Sequence, residues 1–315
     1  MIRRGTLPGR GSIGRARGLD FGVASLAQWV QGARPRTLPT AVAPVLVGTG
    51  AAIGSGTVSI GRAVLALIVA AALVIGVNFA NDYSDGIRGT DDERVGPMRL
   101  VGSKAATPAA VRTAAFVCFA IAALAGLTLV SLARAWWLIA VGALCIAGAW
   151  FYTGGKRPYG YAGLGEVAVF VFFGLVGTLG TTYTQSGTIG PLAVVGAVGV
   201  GLLCCAVLVA NNLRDIAGDT EVGKRTLAVA LGDRDTRRFY AALALLPFVL
   251  TIGMGVLSLP VLLGLLALPL AIPPTRAVLR GADGRPLIRV LQQTGMVLLA
   301  WSTLTAVGLA LGLAF

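Results

Sequence analysis

Two groups of Asn and Asp side chains recur at helical spacing, and each group begins inside an apolar stretch. They are Asn78, Asp82 and Asp85 in the first group, and Asn211, Asp215 and Asp219 in the second. Because a helix turns by about 100° per residue, these spacings put each group on one side of a helix. Carboxylates on one stripe repel each other unless a cation lies between them. Ionisable side chains are costly inside a bilayer, so these carboxylates are candidates for function.

Mg²⁺ is the cation that these side chains favour, because it prefers oxygen ligands and usually takes one or two carboxylates together with substrate phosphates. Basic residues beside both groups fit such a substrate. Arg88, Arg94, Arg99 and Lys104 follow the first group, and Arg214, Lys224 and Arg225 surround the second. Cations interleaved with acids can hold a metal-bound diphosphate, although the ordinary basic excess of cytoplasmic loops would also supply such residues.

The composition indicates a polytopic membrane protein. Of 315 residues, 56% are hydrophobic and only 12% are charged, which lies outside the range of soluble globular, disordered and fibrous chains. The 26 Lys and Arg are spread through short loops, so anionic lipid or an acidic substrate is favoured as partner over nucleic acid. The sequence has no histidine, which excludes histidine-based triads and HExxH zinc sites. The 4 cysteines lie in apolar runs and are interpreted as packing residues.

Nine apolar segments are long enough to cross a bilayer, for which a helix needs about 20 residues. Their predicted ranges are 38–55, 63–81, 109–133, 135–152, 164–183, 191–211, 239–258, 260–280 and 287–313. The predicted fold class is therefore all-α. The split between the seventh and eighth segments rests on Ser258, Pro260 and their neighbours.

Loop charge supports nine spans and predicts their orientation. With nine spans, 24 of the 26 basic residues lie on the side of the N-terminus, and only Arg62 and Arg134 lie opposite. Because Lys and Arg are retained in the cytoplasm, the N-terminus and both Asp groups are predicted to be cytoplasmic and the C-terminus external. Residues 1–23, rich in Gly and Arg, are predicted to form a disordered tail, and residues 24–315 a single transmembrane domain.

Four stretches, in this order, resemble the UbiA superfamily of intramembrane prenyltransferases, and within it the branch that prenylates 1,4-dihydroxy-2-naphthoate. They are residues 33–39 (ARPRTLP), 78–104, 152–160 (YTGGKRPYG) and 211–232, which include GKRTL at 223–227. The likeness extends from about residue 24 to the C-terminus and is carried most specifically by the two Asp motifs.

This resemblance implies nine helices around a central cavity, with the loops after the second and sixth spans over its cytoplasmic mouth. It implies Mg²⁺ as the cofactor, with Asn78, Asp82, Asp215 and Asp219 as principal ligands and Asp85 and Asn211 as supporting ones. Basic side chains would share the charge of a departing diphosphate. They are Arg88, Arg99, Lys104, Arg214, Lys224 and Arg225.

The implied substrates are a polyprenyl diphosphate and 1,4-dihydroxy-2-naphthoate, which would give demethylmenaquinone, diphosphate and CO₂. Arg36 and Arg157 are predicted to bind the naphthoate carboxylate, and Tyr152 to orient the ring. A lateral opening would admit the isoprenoid tail from the lipid of a bacterial plasma membrane.

Three alternatives stay open on the sequence. Another acceptor, such as 4-hydroxybenzoate, would use the same metal site within the superfamily. Residues 82–86 resemble the start of the DxxDGxxAR motif of membrane CDP-alcohol phosphotransferases. The Ala-Arg that ends this motif is absent here. A transporter would need polar groups near the midplane, whereas every acid here belongs to one side.

Overall fold

A computed structural model describes residues 21–89 and 98–312 of the chain. The described residues form helices and loops and contain no β-strand, which confirms the all-α fold class. The predicted tail up to residue 20 and Arg94 lie outside the described residues.

Ten helices, numbered here in chain order, make up the described chain. They are α1 (Leu26–Ala33), α2 (Pro39–Gly54), α3 (Ile60–Arg88), α4 (Pro108–Ala133), α5 (Leu138–Phe151), α6 (Gly165–Ser186), α7 (Pro191–Glu221), α8 (Leu227–Gly255), α9 (Leu259–Leu279) and α10 (Arg285–Leu311). Hydroxyl side chains begin three of the long helices, since Ser59, Thr107 and Thr226 each accept a bond from a backbone amide of the first turn.

Each of the nine predicted spans corresponds to one helix from α2 to α10. In the described ranges, seven of these are long and apolar enough to cross a membrane, and α1 with α2 forms an eighth that is bent by 48°. The helix α5 has 14 residues, which is shorter than a full span. The predicted split between the seventh and eighth spans is confirmed, because α8 ends at Gly255 and α9 begins at Leu259.

The main core lies among α2, α7, α8, α9 and α10, around the fully buried Trp301. Glycines let the backbones approach closely: a Cβ on Gly50 would lie 2.4 Å from the carbonyl oxygen of Ala306, and one on Gly199 would lie 2.3 Å from the Trp301 ring. A second core, which includes Phe79 and Phe119, joins α3 to α4. These two cores fix the helices that carry the Asp groups.

Between the two cores lies a cavity of about 970 Å³, at the upper end of the range for small-molecule sites. Its walls come from α2 to α7 and α10. The middle of α6, Phe170–Val176, is a π-helical segment, and Phe172 and Phe173 of this segment face the cavity. Such π-segments often mark functional sites because they re-aim side chains within a helix.

Candidate active site

Members of both Asn/Asp groups line one end of the cavity, which we call the mouth, whereas Asp82, Asp215 and Asp219 are not among the lining residues. Asn78 and Asp85 on α3 line it, as do Asn211 and Arg214 on α7. Both helices continue well past the apolar spans predicted for them, so these polar residues lie on helices rather than in loops. Residues about 130 positions apart in the sequence therefore share one site.

On α3 the side chains that face the cavity are Asn78, Asn81 and Asp85. Asp82 departs from the predicted stripe and is not among the lining residues. Its two carboxylate oxygens accept backbone hydrogen bonds from Leu100 (2.7 Å) and Val101 (3.0 Å), and the residue is only 1% exposed. Asp82 thus holds the segment at Leu100 and Val101 against α3. Its assignment as a Mg²⁺ ligand stays a prediction.

Asn78 also has a structural partner. Its amide nitrogen donates to the carbonyl of Ala33 (3.0 Å) and to the hydroxyl of Thr37 (2.9 Å), which ties α3 to the corner between α1 and α2. At this corner Arg34 has a left-handed backbone, with φ 54° and ψ 69°, and its side chain lines the cavity. Arg34 also ends α1, where a left-handed residue is common, and its backbone amide donates to the carbonyl of Gln31.

Asn81 is a site residue that the sequence reasoning missed. It lines the cavity, and its side-chain oxygen accepts a hydrogen bond from the Thr153 hydroxyl at 2.8 Å. Asn81 precedes Asp85 by four residues, as Asn211 precedes Asp215. That Asn-x-x-x-Asp spacing is a signal for Asn81, but Asn78 and Asp82 share it, so the spacing alone does not choose between the two pairs.

The second group is held by basic side chains. The Arg214 guanidinium forms a bidentate pair with Asp215 (2.7 and 2.8 Å) and also donates to the side-chain oxygen of Asn211 at 2.9 Å. One turn further along, the Lys224 ammonium lies 3.3 Å from Asp219. Each carboxylate of the pair is therefore balanced by a nearby cation, which offsets the repulsion between them.

A loop between α5 and α6 connects the two groups through Tyr161, a residue outside the predicted set. The Tyr161 hydroxyl donates to Oδ1 of Asp85 at 2.5 Å. Its ring centroid lies 5.4 Å from the Arg88 guanidinium and 5.2 Å from the Lys224 ammonium, within the range of cation–π attraction. Burial, and then the Asp85 carboxylate, raise the pKa of Tyr161, so that the phenol stays a neutral donor.

The predicted basic residues fall into two sets. Arg36, Arg99, Arg214 and Lys224 line the cavity, as does the predicted ring contact Tyr152. Arg99 is buried and lies 3.7 Å from Asp85. Outside the lining are Arg88, Lys104, Arg157 and Arg225, all of them exposed.

Arg88 binds the loop rather than the cavity, because its guanidinium donates to the carbonyls of Thr153 (2.5 Å) and Gly155 (2.6 Å). The Arg225 amide likewise donates to the carbonyl of Tyr161 at 3.1 Å. The geometry gives Lys104 and Arg157 no contact with the cavity, and their assigned roles stay predictions.

The mouth carries an excess of positive charge, which suits an anionic ligand. Among the described residues that line the cavity, the cations are Arg34, Arg36, Arg99, Arg214 and Lys224, and the carboxylate is Asp85. Beyond the mouth the walls are apolar and include Leu73, Leu127, Ile146 and Phe172. A ligand that fits both parts has a multiply charged anionic head and a long apolar tail.

The oxygen ligands around the mouth suit a hard cation such as Mg²⁺. Within residues 21–89 and 98–312, no three carboxylates or thiols lie close enough to hold one metal ion. An ion here would therefore depend on amide oxygens and on phosphate oxygens of a substrate, which is how Mg²⁺ is commonly bound.

Comparison with known proteins identifies the class to which this fold and site belong. The UbiA prenyltransferase family model matches residues 41–296, and the chain belongs to that family. A 1,4-dihydroxy-2-naphthoate octaprenyltransferase of Mycobacterium tuberculosis is 57% identical over 290 residues, which cover 92% of this chain and 99% of the relative. The Escherichia coli protein of the same name is 40% identical, over 84% of this chain and 89% of its own length.

Solved structures share the fold at low sequence identity. A UbiA homolog from Archaeoglobus fulgidus bound to DMAPP and Mg²⁺ superimposes with a TM-score of 0.61 at 14% identity, covering 89% of this chain and 99% of that one. A digeranylgeranylglyceryl phosphate synthase gives a TM-score of 0.60 at 16% identity, covering 90% and 98%. The family model over residues 41–296 confirms the predicted superfamily, and the family together with the apolar helices makes this a multi-pass membrane protein.

Proposed function

We propose that this protein transfers a polyprenyl group from a polyprenyl diphosphate to 1,4-dihydroxy-2-naphthoate, releasing diphosphate and CO₂ and giving demethylmenaquinol, which becomes demethylmenaquinone on later oxidation. The observation that carries the proposal is the cavity, which joins a cationic, carboxylate-bearing mouth to a long apolar body. Two relatives that match over most of their length bear the name of this activity.

The diphosphate is assigned to the mouth, where Arg99, Arg214 and Lys224 line the cavity. Asn81 and Asp85 on α3 and Asn211 on α7, which line the cavity, would hold Mg²⁺ together with oxygens of the diphosphate. Asp215 and Asp219 lie outside the lining and would act by holding Arg214 and Lys224. When bound, Mg²⁺ would neutralise the charge that builds on the departing diphosphate. The guanidinium and ammonium groups share that charge, which favours ionisation of the allylic carbon–oxygen bond.

Asn78 and Asp82 are assigned as positioning residues in this scheme. The Asn78 amide nitrogen is bound to Ala33 and Thr37, and both Asp82 oxygens accept bonds from the chain at Leu100 and Val101. These contacts fix the corner that carries Arg34 and the segment that carries Arg99. Both arginines line the cavity.

The acceptor step balances without a base that removes a ring proton. The electron-rich ring attacks the allylic carbon through its carboxyl-bearing carbon, and the carboxylate then leaves as CO₂ and returns its bonding electrons to the ring. Arg36, at the mouth, is proposed to bind the carboxylate before this step, with Tyr152 beside the ring. The apolar walls keep water away from the allylic cation.

We further propose a bacterial plasma membrane as the location, with the mouth on the cytoplasmic face. The excess of Lys and Arg on that side supports this orientation.

The decisive experiment offers membranes that contain the protein a polyprenyl diphosphate and competing acceptors, with and without Mg²⁺. We expect demethylmenaquinol, recovered as demethylmenaquinone after oxidation in air, and CO₂ from 1,4-dihydroxy-2-naphthoate, and loss of turnover when EDTA removes the metal. Asp215→Asn should abolish turnover, whereas Asp235→Asn, an exposed acid on α8, should not. Product from 4-hydroxybenzoate alone would assign the protein to a different acceptor within the family.

A further inference from the structure

Three glycines on three different helices line the half of the cavity that lies away from the mouth. Gly126 is on α4, Gly142 on α5 and Gly180 on α6. Each is in the interior of its helix, where glycine costs about 0.5–1 kcal/mol relative to alanine. A helix interior therefore needs a specific reason to carry glycine.

Close packing is not that reason at these positions. A Cβ added to Gly142 or Gly180 would meet no atom within 4 Å, and one added to Gly126 would meet only a Val69 methyl at 3.8 Å. The packing glycines of this protein differ clearly, since a Cβ on Gly50 or Gly199 would lie within 2.4 Å of a neighbouring helix. The property that the three glycines share is that each lines the cavity.

The cavity follows α3 from Asp85 to Ala66, a rise of about 28 Å along the helix. At its far end it reaches Val130 near the end of α4, Leu138 at the start of α5 and Thr184 near the end of α6. Its depth thus approaches the roughly 30 Å thickness of a bilayer hydrocarbon core. Side chains at the three glycines would narrow this far half and leave the mouth unchanged.

We infer that Gly126, Gly142 and Gly180 set the length of isoprenoid tail that the protein accepts, by keeping the far half of the cavity wide. The inference rests on the proposed function, because it assigns the apolar body of the cavity to the tail of the prenyl donor. A short tail occupies the region next to the mouth and does not reach these positions. A long tail must pass them.

The test compares two donors in each variant, with 1,4-dihydroxy-2-naphthoate as the acceptor. Gly142→Phe and Gly180→Phe are assayed separately with geranyl diphosphate and with octaprenyl diphosphate. We expect kcat/KM for the long donor to fall at least tenfold relative to kcat/KM for the short donor. The matching leucine variants, with smaller side chains, should give smaller falls in the same ratio.

Gly253→Phe is the matched control, because Gly253 is an exposed helical glycine on α8 that also has no atom within 4 Å of its Cβ position but does not line the cavity. Its long-to-short ratio should equal that of the wild type. The inference would be overturned if folded variants at Gly142 and Gly180 kept the wild-type ratio of kcat/KM for the long donor to kcat/KM for the short donor, including the case in which both values fall equally. Wild-type protein inactive with both donors would instead remove the proposed function.

Discussion

The Tyr161 hydroxyl donates a hydrogen bond to Oδ1 of Asp85 across 76 residues of sequence. The same tyrosine accepts a bond on its carbonyl from the amide of Arg225, beside the second Asp group. Its ring is also shared by Arg88 and Lys224. The loop between α5 and α6 therefore holds both halves of the mouth in one arrangement, and Tyr161 is its central contact.

Replacing Tyr161 should separate the two contributions of this side chain. Tyr161→Phe keeps the ring and removes the donor to Asp85, a charged hydrogen bond worth about 1.5–3 kcal/mol, so kcat should fall about tenfold or more. Tyr161→Leu also removes the ring, and the loss of a cation–π contact of about 1 kcal/mol should raise the KM for prenyl diphosphate about fivefold. Steady-state kinetics measures both. Tyr183→Phe, next to Trp137 at the far end of α6, is the control, and wild-type kcat in Tyr161→Phe would refute this role.

Asp82 and Asp85 should respond differently to the same substitution. Asp82→Asn replaces one acceptor by an NH₂ group and leaves a buried backbone N–H without its partner, at a cost of about 1–3 kcal/mol. The thermal midpoint should therefore fall. Asp85→Asn keeps an acceptor oxygen for Tyr161 and loses the charge that faces Arg99, so it should abolish turnover with a smaller fall of the midpoint than Asp82→Asn. If Asp82→Asn lost activity at an unchanged midpoint, Asp82 would return to the set of metal ligands.

The sequence predicts the helices well because the length of an apolar run is a direct consequence of bilayer thickness. It places the break near Ser258 correctly, where the backbone is extended. Helix ends are less well predicted: α3 and α7 continue to Arg88 and Glu221, because polar residues at a membrane boundary can stay helical. Hydropathy alone therefore underestimates the lengths of α3 and α7.

The site is predicted in part. Helical spacing brings Asp215 and Asp219 together on α7, but on α3 the spacing of Asn78 and Asp82 competes with that of Asn81 and Asp85. The structure decides between the two pairs, because the backbone amides of Leu100 and Val101 bind both carboxylate oxygens of Asp82. Asn81 and Asp85 are then the pair that faces the cavity. Tyr161 could not be predicted, because its partners lie in other parts of the sequence and no periodicity links a loop residue to them.

Gly165 should control how Tyr152 is presented to the acceptor. A Cβ at Gly165 would lie 3.1 Å from the Tyr152 hydroxyl oxygen, so Gly165→Ala must displace the ring slightly. The KM for 1,4-dihydroxy-2-naphthoate should rise severalfold while the KM for prenyl diphosphate is unchanged. Gly253→Ala is the control in open space. Equal changes in both KM values would mean that Tyr152 does not act on the acceptor.

Tyr159 should make stability depend on alkaline pH. Burial raises the pKa of Tyr159 to about 12, and its hydroxyl donates to the Gly148 carbonyl at 2.7 Å. In the unfolded chain the Tyr159 phenol ionises near pH 10. Below that pH the neutral phenol contributes its full stabilisation to the folded state, and this contribution is lost as the pH rises from about 10 to 12. The thermal midpoint of the wild type should fall more steeply over this range than that of Tyr159→Phe. Parallel curves would show that this phenol does not contribute.

Arg34 combines a functional position with a strained backbone, and two substitutions separate these properties. Its left-handed φ of 54° costs a non-glycine residue about 1–2 kcal/mol, and Pro35 follows it directly. Arg34→Gly and Arg34→Ala both remove the cation from the mouth, so both should raise the KM for a substrate anion. Only glycine relieves the strain, so Arg34→Gly should have the higher thermal midpoint by an amount equivalent to about 1 kcal/mol. Equal midpoints would show that the backbone at this corner is not strained, and an unchanged KM in both variants would remove Arg34 from the anion-binding surface.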